Sequence, residues 1–172
     1  MPHDPLELET RRTLYQFIVR HPGKYLRELQ RELGMAMGAL EHHLRELEAA
    51  GLVTVQNEEH KRFFSADLPR ADKPILGQLR QALARRALVV LLTRGPCTKT
   101  ALLDALGVSA STLNYHLKRL VETGIVEAGK EGREAVYAVR DPGTIVRLLS
   151  CYRSSLLDRL VDSFLDGIEA MR

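Results

Sequence analysis

The chain has 172 residues, 45% of them apolar and 27% charged, with a net charge of +3. That is an ordinary soluble composition, long enough for two modest cores. No run of eighteen apolar residues exists, and the longest candidate, Ala87 to Leu92, is flanked by Arg85, Arg86 and Arg94, so no membrane span is expected.

A first helix is predicted to open after Pro5 and to run through Leu14, Phe17 and Ile18 until His21-Pro22-Gly23 stops it. A second short helix covers Tyr25 to Leu33 and ends at Gly34, and a third runs from about Ala36 to Ala50. Two strands follow, Leu52 to Val55 and Arg62 to Ser65, around the polar turn Gln56 to Lys61, which carries Glu58 and Glu59. Pro69 and Pro74 mark a short linker. The order then repeats: an opening helix Ile75 to Thr93 broken at Gly95-Pro96, a second helix Lys99 to Leu106, and a third from Ser109 to Thr123 with Ser109 as N-cap. A strand pair closes the copy, Ile125 to Ala128 and Ala135 to Val139, joined by Gly129 to Glu134, where Gly132 permits a positive φ.

The repetition is also literal. Glu32 to Val53 reappears as Ala105 to Val126, with Gly34 and Gly107, His43 and His116, and Gly51 and Gly124 all separated by 73 residues. A repeat of this length makes each copy a small module. Three helices followed by a hairpin are the winged helix-turn-helix plan. The predicted class is mainly α with small β-hairpin wings (α+β): a first domain over 1–70, a second over 71–141, and a long C-terminal helix over 142–172.

The third helix of each copy sorts into two faces by its 3.6-residue period. Leu113, His116, Leu117 and Leu120 form an inward stripe, as do Leu40, His43, Leu44 and Leu47. Ser111, Asn114, Tyr115 and Lys118 lie opposite, and their counterparts are Gly38, Glu41, His42 and Arg45. Hydroxyl, amide, phenol and ammonium groups can bond base edges or phosphates, and Asn can pair bidentately with adenine. Residues 71–140 carry eleven Lys and Arg against six Asp and Glu, while residues 1–70 carry ten against eleven. The basic excess therefore falls in the second copy, as attraction to a polyanion requires.

Ser109-Ala110-Ser111-Thr112-Leu113-Asn114-Tyr115-His116-Leu117 and the run Leu47-Glu48-Ala49-Ala50-Gly51-Leu52-Val53 resemble the winged helices of ArsR-like transcription regulators. The resemblance covers about residues 10–66 and 78–140, and tandem chains of this kind are most similar to archaeal regulators. It implies a cytoplasmic regulator of double-stranded DNA, with the third helix in the major groove and the wing on backbone or minor groove. The candidate DNA-binding residues are Ser109, Ser111, Thr112, Asn114, Tyr115, Lys118, Arg119, Lys130 and Arg133 in the second copy. In the first they are Met37, Gly38, His42, Arg45, Lys61 and Arg62. Glu41 in place of Asn114 makes the second copy the stronger expected reader. An architectural DNA binder and a tandem winged-helix scaffold that binds protein, including transcription machinery, are the alternatives.

From about Thr144 to Met171 apolar residues recur at steps of three and four, predicting one amphipathic helix of about 40 Å. Homodimerisation through Ile145, Leu149, Tyr152, Leu156, Leu160 and Phe164 is the expectation, against a helix folded back over its own cores. Enzymatic activity, a metal and a cofactor are not expected. Cys97 and Cys151 fit neither a CxxC pair nor a zinc cluster, and His43 and His116 lie on apolar faces. No nucleophile, phosphate loop or paired-carboxylate setting appears. The polar stretch after Pro5 has no apolar signal core, so no secretion signal is expected.

Overall fold

The computed structural model describes residues 4–57, 60–156 and 158–171 and separates into two compact units, 1–77 and 78–172. Both combine helices with a small three-stranded antiparallel sheet. Glu58 and Glu59 of the first wing lie outside the described residues.

The first unit runs α1 (Glu9–Arg20), β1 (Lys24–Tyr25), α2 (Leu26–Leu33), α3 (Met37–Ala49), β2 (Val53–Asn57) and β3 (Lys61–Ser65). Leu14 and Ile18 from α1, Leu29 from α2, Leu40, Leu44 and Leu47 from α3, Val53 and Phe63 form its core. The helical members are those that the 3.6-residue period brings to one side, and Val53 and Phe63 join them from the hairpin. The sheet order is β1-β3-β2, with Tyr25 and Gln56 both opposite Arg62. β1 has only two residues, too few to carry an alternation, and the hairpin pattern in the sequence does not reveal it.

The expected linker between Pro69 and Pro74 is partly helical. α4 (Asp72–Leu79) begins inside it, and Pro74 sits in the first turn, where a missing N–H costs no helical bond. Lys73 is buried and donates to the Thr54 hydroxyl at 2.7 Å. The long opening helix expected from Ile75 to Thr93 is likewise two helices, α4 and α5 (Ala82–Arg94). The Arg85 guanidinium donates to the Leu79 carbonyl at 2.5 Å, taking an acceptor that a continuous helix would have used itself.

In the second unit α5 is followed by β4 (Cys97–Thr98), α6 (Lys99–Leu106), α7 (Ala110–Glu122), β5 (Val126–Glu131) and β6 (Glu134–Val139), with sheet order β4-β6-β5. Gly107 ends α6 in the left-handed region at φ 64°, as Gly34 ends α2 at φ 63°, so the turn before each third helix has the same backbone. Pairing in the wing continues to Glu131 opposite Glu134, which narrows the expected six-residue turn to Gly132 and Arg133, with Gly132 at φ 62°.

The single long C-terminal helix is corrected to three: α8 (Pro142–Cys151), α9 (Arg153–Leu156) and α10 (Arg159–Ala170). The break has identifiable causes. Arg80 donates to the Ser155 carbonyl at 2.8 Å, removing that acceptor from any continuing helix. Asp158 then caps α10, accepting from the Leu160 backbone N–H at 3.0 Å, while its other oxygen holds Arg85 at 2.7 Å. α10 thereby packs back on α5 and α8 within the second unit. Ile145, Leu149 and Leu156, expected to face a second copy, are buried inside their own unit. Tyr152 and Phe164 are partly covered, and Leu160 remains on the surface.

Candidate nucleic-acid interface

α7 is fixed from beneath by Leu113, Leu117 and Leu120, all buried. At its start the Ser109 hydroxyl accepts from the Thr112 backbone N–H at 3.3 Å, the capping predicted for this residue. The same hydroxyl lies 3.1 Å from that of Ser111 and 2.7 Å from that of Thr112, so three small polar side chains form one exposed cluster at the positive end of the helix. Asn114, Tyr115 and Lys118 follow on the outward face, with Tyr115 49% exposed. Arg119 approaches the Tyr115 ring with its guanidinium 5.7 Å from the centroid and donates to the phenol oxygen at 3.5 Å, which steers that ring. Lys118 lies 3.7 Å from Glu122 one turn on, a solvent-screened pair that a phosphate can replace.

Lys130 on β5 and Arg133 in the hairpin turn are exposed on the wing. The second unit therefore presents donors on two elements, a helix and a ribbon.

The first unit is poorer. α3 starts after Ala36 with no side-chain cap, Met37 is half-buried, and Gly38, Glu41, His42 and Arg45 are exposed. Lys61 is exposed at the start of β3. Arg62 is not a wing contact: it is 2% exposed, donates to the Gly23 carbonyl at 2.8 Å and to the Tyr25 hydroxyl, and stacks 4.0 Å from the Tyr25 ring. It stands directly opposite Tyr25 in the β1–β3 pairing, and its bonds fasten the short strand to the hairpin. In the second unit Thr98 faces Val136 in the matching pair.

His43 and His116 occupy the same place on α3 and α7. Burial pushes both below the usual imidazole value, helped by Arg11 and His42 at His43 and by Arg119 at His116. Each has a buried Nδ1 without a hydrogen-bond partner. Both lie on the inward side of their helices, where burial favours the neutral imidazole.

The basic excess of residues 71–140 is smaller at the surface than in the sequence. Arg85 is ion-paired with Asp158, and Arg80 and Arg86 donate to the carbonyls of Ser155 and Leu106. Sequence reading missed these structural arginines, although Arg85, beside Ala84 and about one turn before Leu88 on an apolar helix, carried a signal. Among the described residues no cluster of three His, Cys, Asp or Glu could hold a metal ion. No described helix is long and apolar enough to cross a membrane.

Residues 8–76 match the family described as N-terminal HTH domain, and residues 84–128 match the family described as Helix-turn-helix domain. The chain is 30% identical over 134 residues to the Uncharacterized HTH-type transcriptional regulator MJ1398 of Methanocaldococcus jannaschii. That match takes in 77% of this chain and 34% of the relative, so the chain spans about a third of the relative's length. Among solved structures, an ArsR family transcriptional regulator aligns at 25% identity and TM-score 0.39, over 52% of this chain and 93% of its own. A possible transcriptional regulator for arsenical resistance aligns at 32% identity and TM-score 0.36, over 55% and 92%. With a match on each unit and a wing behind each third helix, the chain is a tandem winged helix-turn-helix protein, with an N-terminal HTH domain at 8–76 and a second helix-turn-helix domain at 84–128.

Proposed function

We propose that this protein is a sequence-specific regulator of transcription that reads double-stranded DNA mainly through its second unit. α7 enters the major groove with Asn114 and Tyr115 toward the bases, and Lys118, Lys130 and Arg133 bind phosphates from helix and wing. The observation that carries this reading is the exposed row Ser111, Asn114, Tyr115 and Lys118 on a helix whose other side is locked into the core. Its relation to a protein named as an HTH-type transcriptional regulator adds weight. Such work belongs in the cytoplasm.

For the first unit a supporting role fits better. Glu41 stands on the outward face of α3 and Arg62 is withdrawn into the sheet, so this unit offers fewer phosphate donors and suits a weak DNA contact or a protein partner.

The test is selection from a random duplex pool at near-physiological salt, run with the full chain and with Asn114→Ala/Lys118→Ala. One enriched motif that the variant fails to recover supports a site-specific reader. Retention without a motif would replace this reading with an architectural DNA binder, and no retention would replace it with a protein-binding scaffold.

A further inference from the structure

α5, α8 and α10 of the second unit enclose a groove of about 550 Å³, inside the range of roughly 300–1,000 Å³ typical of small-molecule sites. Val89 and Leu92 from α5, Val146 from α8, and Leu160, Phe164 and Ile168 from α10 supply its walls. None of the described residues lining it is ionisable. α10 carries more apolar surface than its packing uses. Val161 and Leu165 are buried and hold the helix down, whereas Leu160 is 40% exposed and Met171, just past the helix end, 82%.

Gly167 is the second observation. It sits inside α10, where glycine is disfavoured against alanine, and a Cβ built there meets nothing within 4 Å. No close approach within the described chain calls for a glycine at this position. The space its missing side chain leaves belongs to the groove.

We propose that this groove binds an uncharged, predominantly apolar small molecule with one hydrogen-bonding end. Charge decides the class: a carboxylate or ammonium group would lose its water against these walls with no counter-charge to meet it. Two acidic residues of α10 beside the lining, Asp162 and Asp166, are committed to Arg153 at 2.7 and 2.8 Å. Two hydroxyls line the groove. That of Thr93 donates to the Val89 carbonyl at 2.8 Å, so Ser163 supplies the donor for the ligand's polar end. α5 packs against α7 as well as α10, so the ligand and the DNA-facing helix share one support.

The experiment needs no DNA, so its outcome is separate from that of the pool selection. The full chain is titrated with N-phenyl-1-naphthylamine, a neutral apolar fluorophore bearing one N–H. Saturable enhancement at one probe per chain is expected. Gly167→Leu fills open space, so its melting temperature stays level or rises while probe affinity falls about tenfold, as loss of contact over two methylene groups implies. Leu160→Gln, at a surface position, weakens binding in the same direction and serves should Gly167→Leu fold poorly. Absence of saturable enhancement, or wild-type affinity in both variants, would overturn the proposal. So would a wild-type dimer in sedimentation that Gly167→Leu dissolves without any probe uptake, because the groove would then belong to a second copy.

Discussion

Replacing Arg62 with Met separates a fold-holding arginine from a DNA-contacting one. The wild-type guanidinium bonds the Gly23 carbonyl and the Tyr25 hydroxyl and stacks on the Tyr25 ring, all at 2% exposure. Hydrogen bonds to a charged group contribute about 1.5–3 kcal/mol each, and a desolvated cation–π contact about 2. Methionine keeps part of the packing and relieves the cost of burying a charge, several kcal/mol in its own right. A net loss of about 3 kcal/mol remains. For a domain of 60–100 residues each kcal/mol moves the midpoint by about 4–8 °C, so the first unit, spanning 1–77, should melt about 12–24 °C lower. Scanning calorimetry of the full chain reads this, with Leu14→Ala marking which transition belongs to the first unit. Lys61→Met, at an exposed neighbour, should shift the midpoint little, since surface changes stay within about 0.5 kcal/mol. An Arg62→Met protein that melts normally but loses DNA affinity as Lys61→Met does would return Arg62 to the wing and refute the reasoning.

Three further outcomes are expected. Arg85→Met alone strands the largely buried Asp158 carboxylate and should cost about 3 kcal/mol in urea unfolding; Arg85→Met/Asp158→Asn should recover part of it, and a double variant worse than the single would contradict the pairing. His43 and His116 have folded values below the ordinary 6.5, so the unfolded chain takes up protons first and stability falls as pH drops below 6.5, being fully present above it. Asp141, also lowered, by its bonds from Thr144, loses its contribution only as pH falls below the carboxylate range, so His43→Leu/His116→Leu should flatten the curve between pH 7 and 5; a wild-type slope that survives both changes would disprove this. In binding isotherms Asn114→Ala should relax preference at one base pair by about 1–3 kcal/mol, whereas Lys118→Ala should weaken all sequences alike and lower the salt slope by about one. Equal effects of the two on every sequence would remove Asn114 from base reading.

The helices and wings were legible because their causes are local and occur twice. Gly34 and Gly107 stop a helix in the same left-handed turn, and the stripes Leu40-Leu44-Leu47 and Leu113-Leu117-Leu120 bury the same face. The breaks at 80–81 and 152–158 were not, since the apolar steps run straight across both. What interrupts them is side-chain bonding that a hydropathy period does not show: Arg85 takes the carbonyl of Leu79 within the same stretch, while Arg80 takes that of the distant Ser155 and Asp158 answers Arg85 from the start of α10. Charge was misleading for the same reason. Summed along the chain, every arginine of the second copy counts toward a polyanion, but three of them spend their donors on this protein's own backbone. The cations left outward on the recognition face and wing are few, Lys118, Lys130 and Arg133 chief among them. So modest a set supports only shallow salt-driven affinity, and on the function proposed above any discrimination between sequences falls on the neutral groups of α7, above all Asn114.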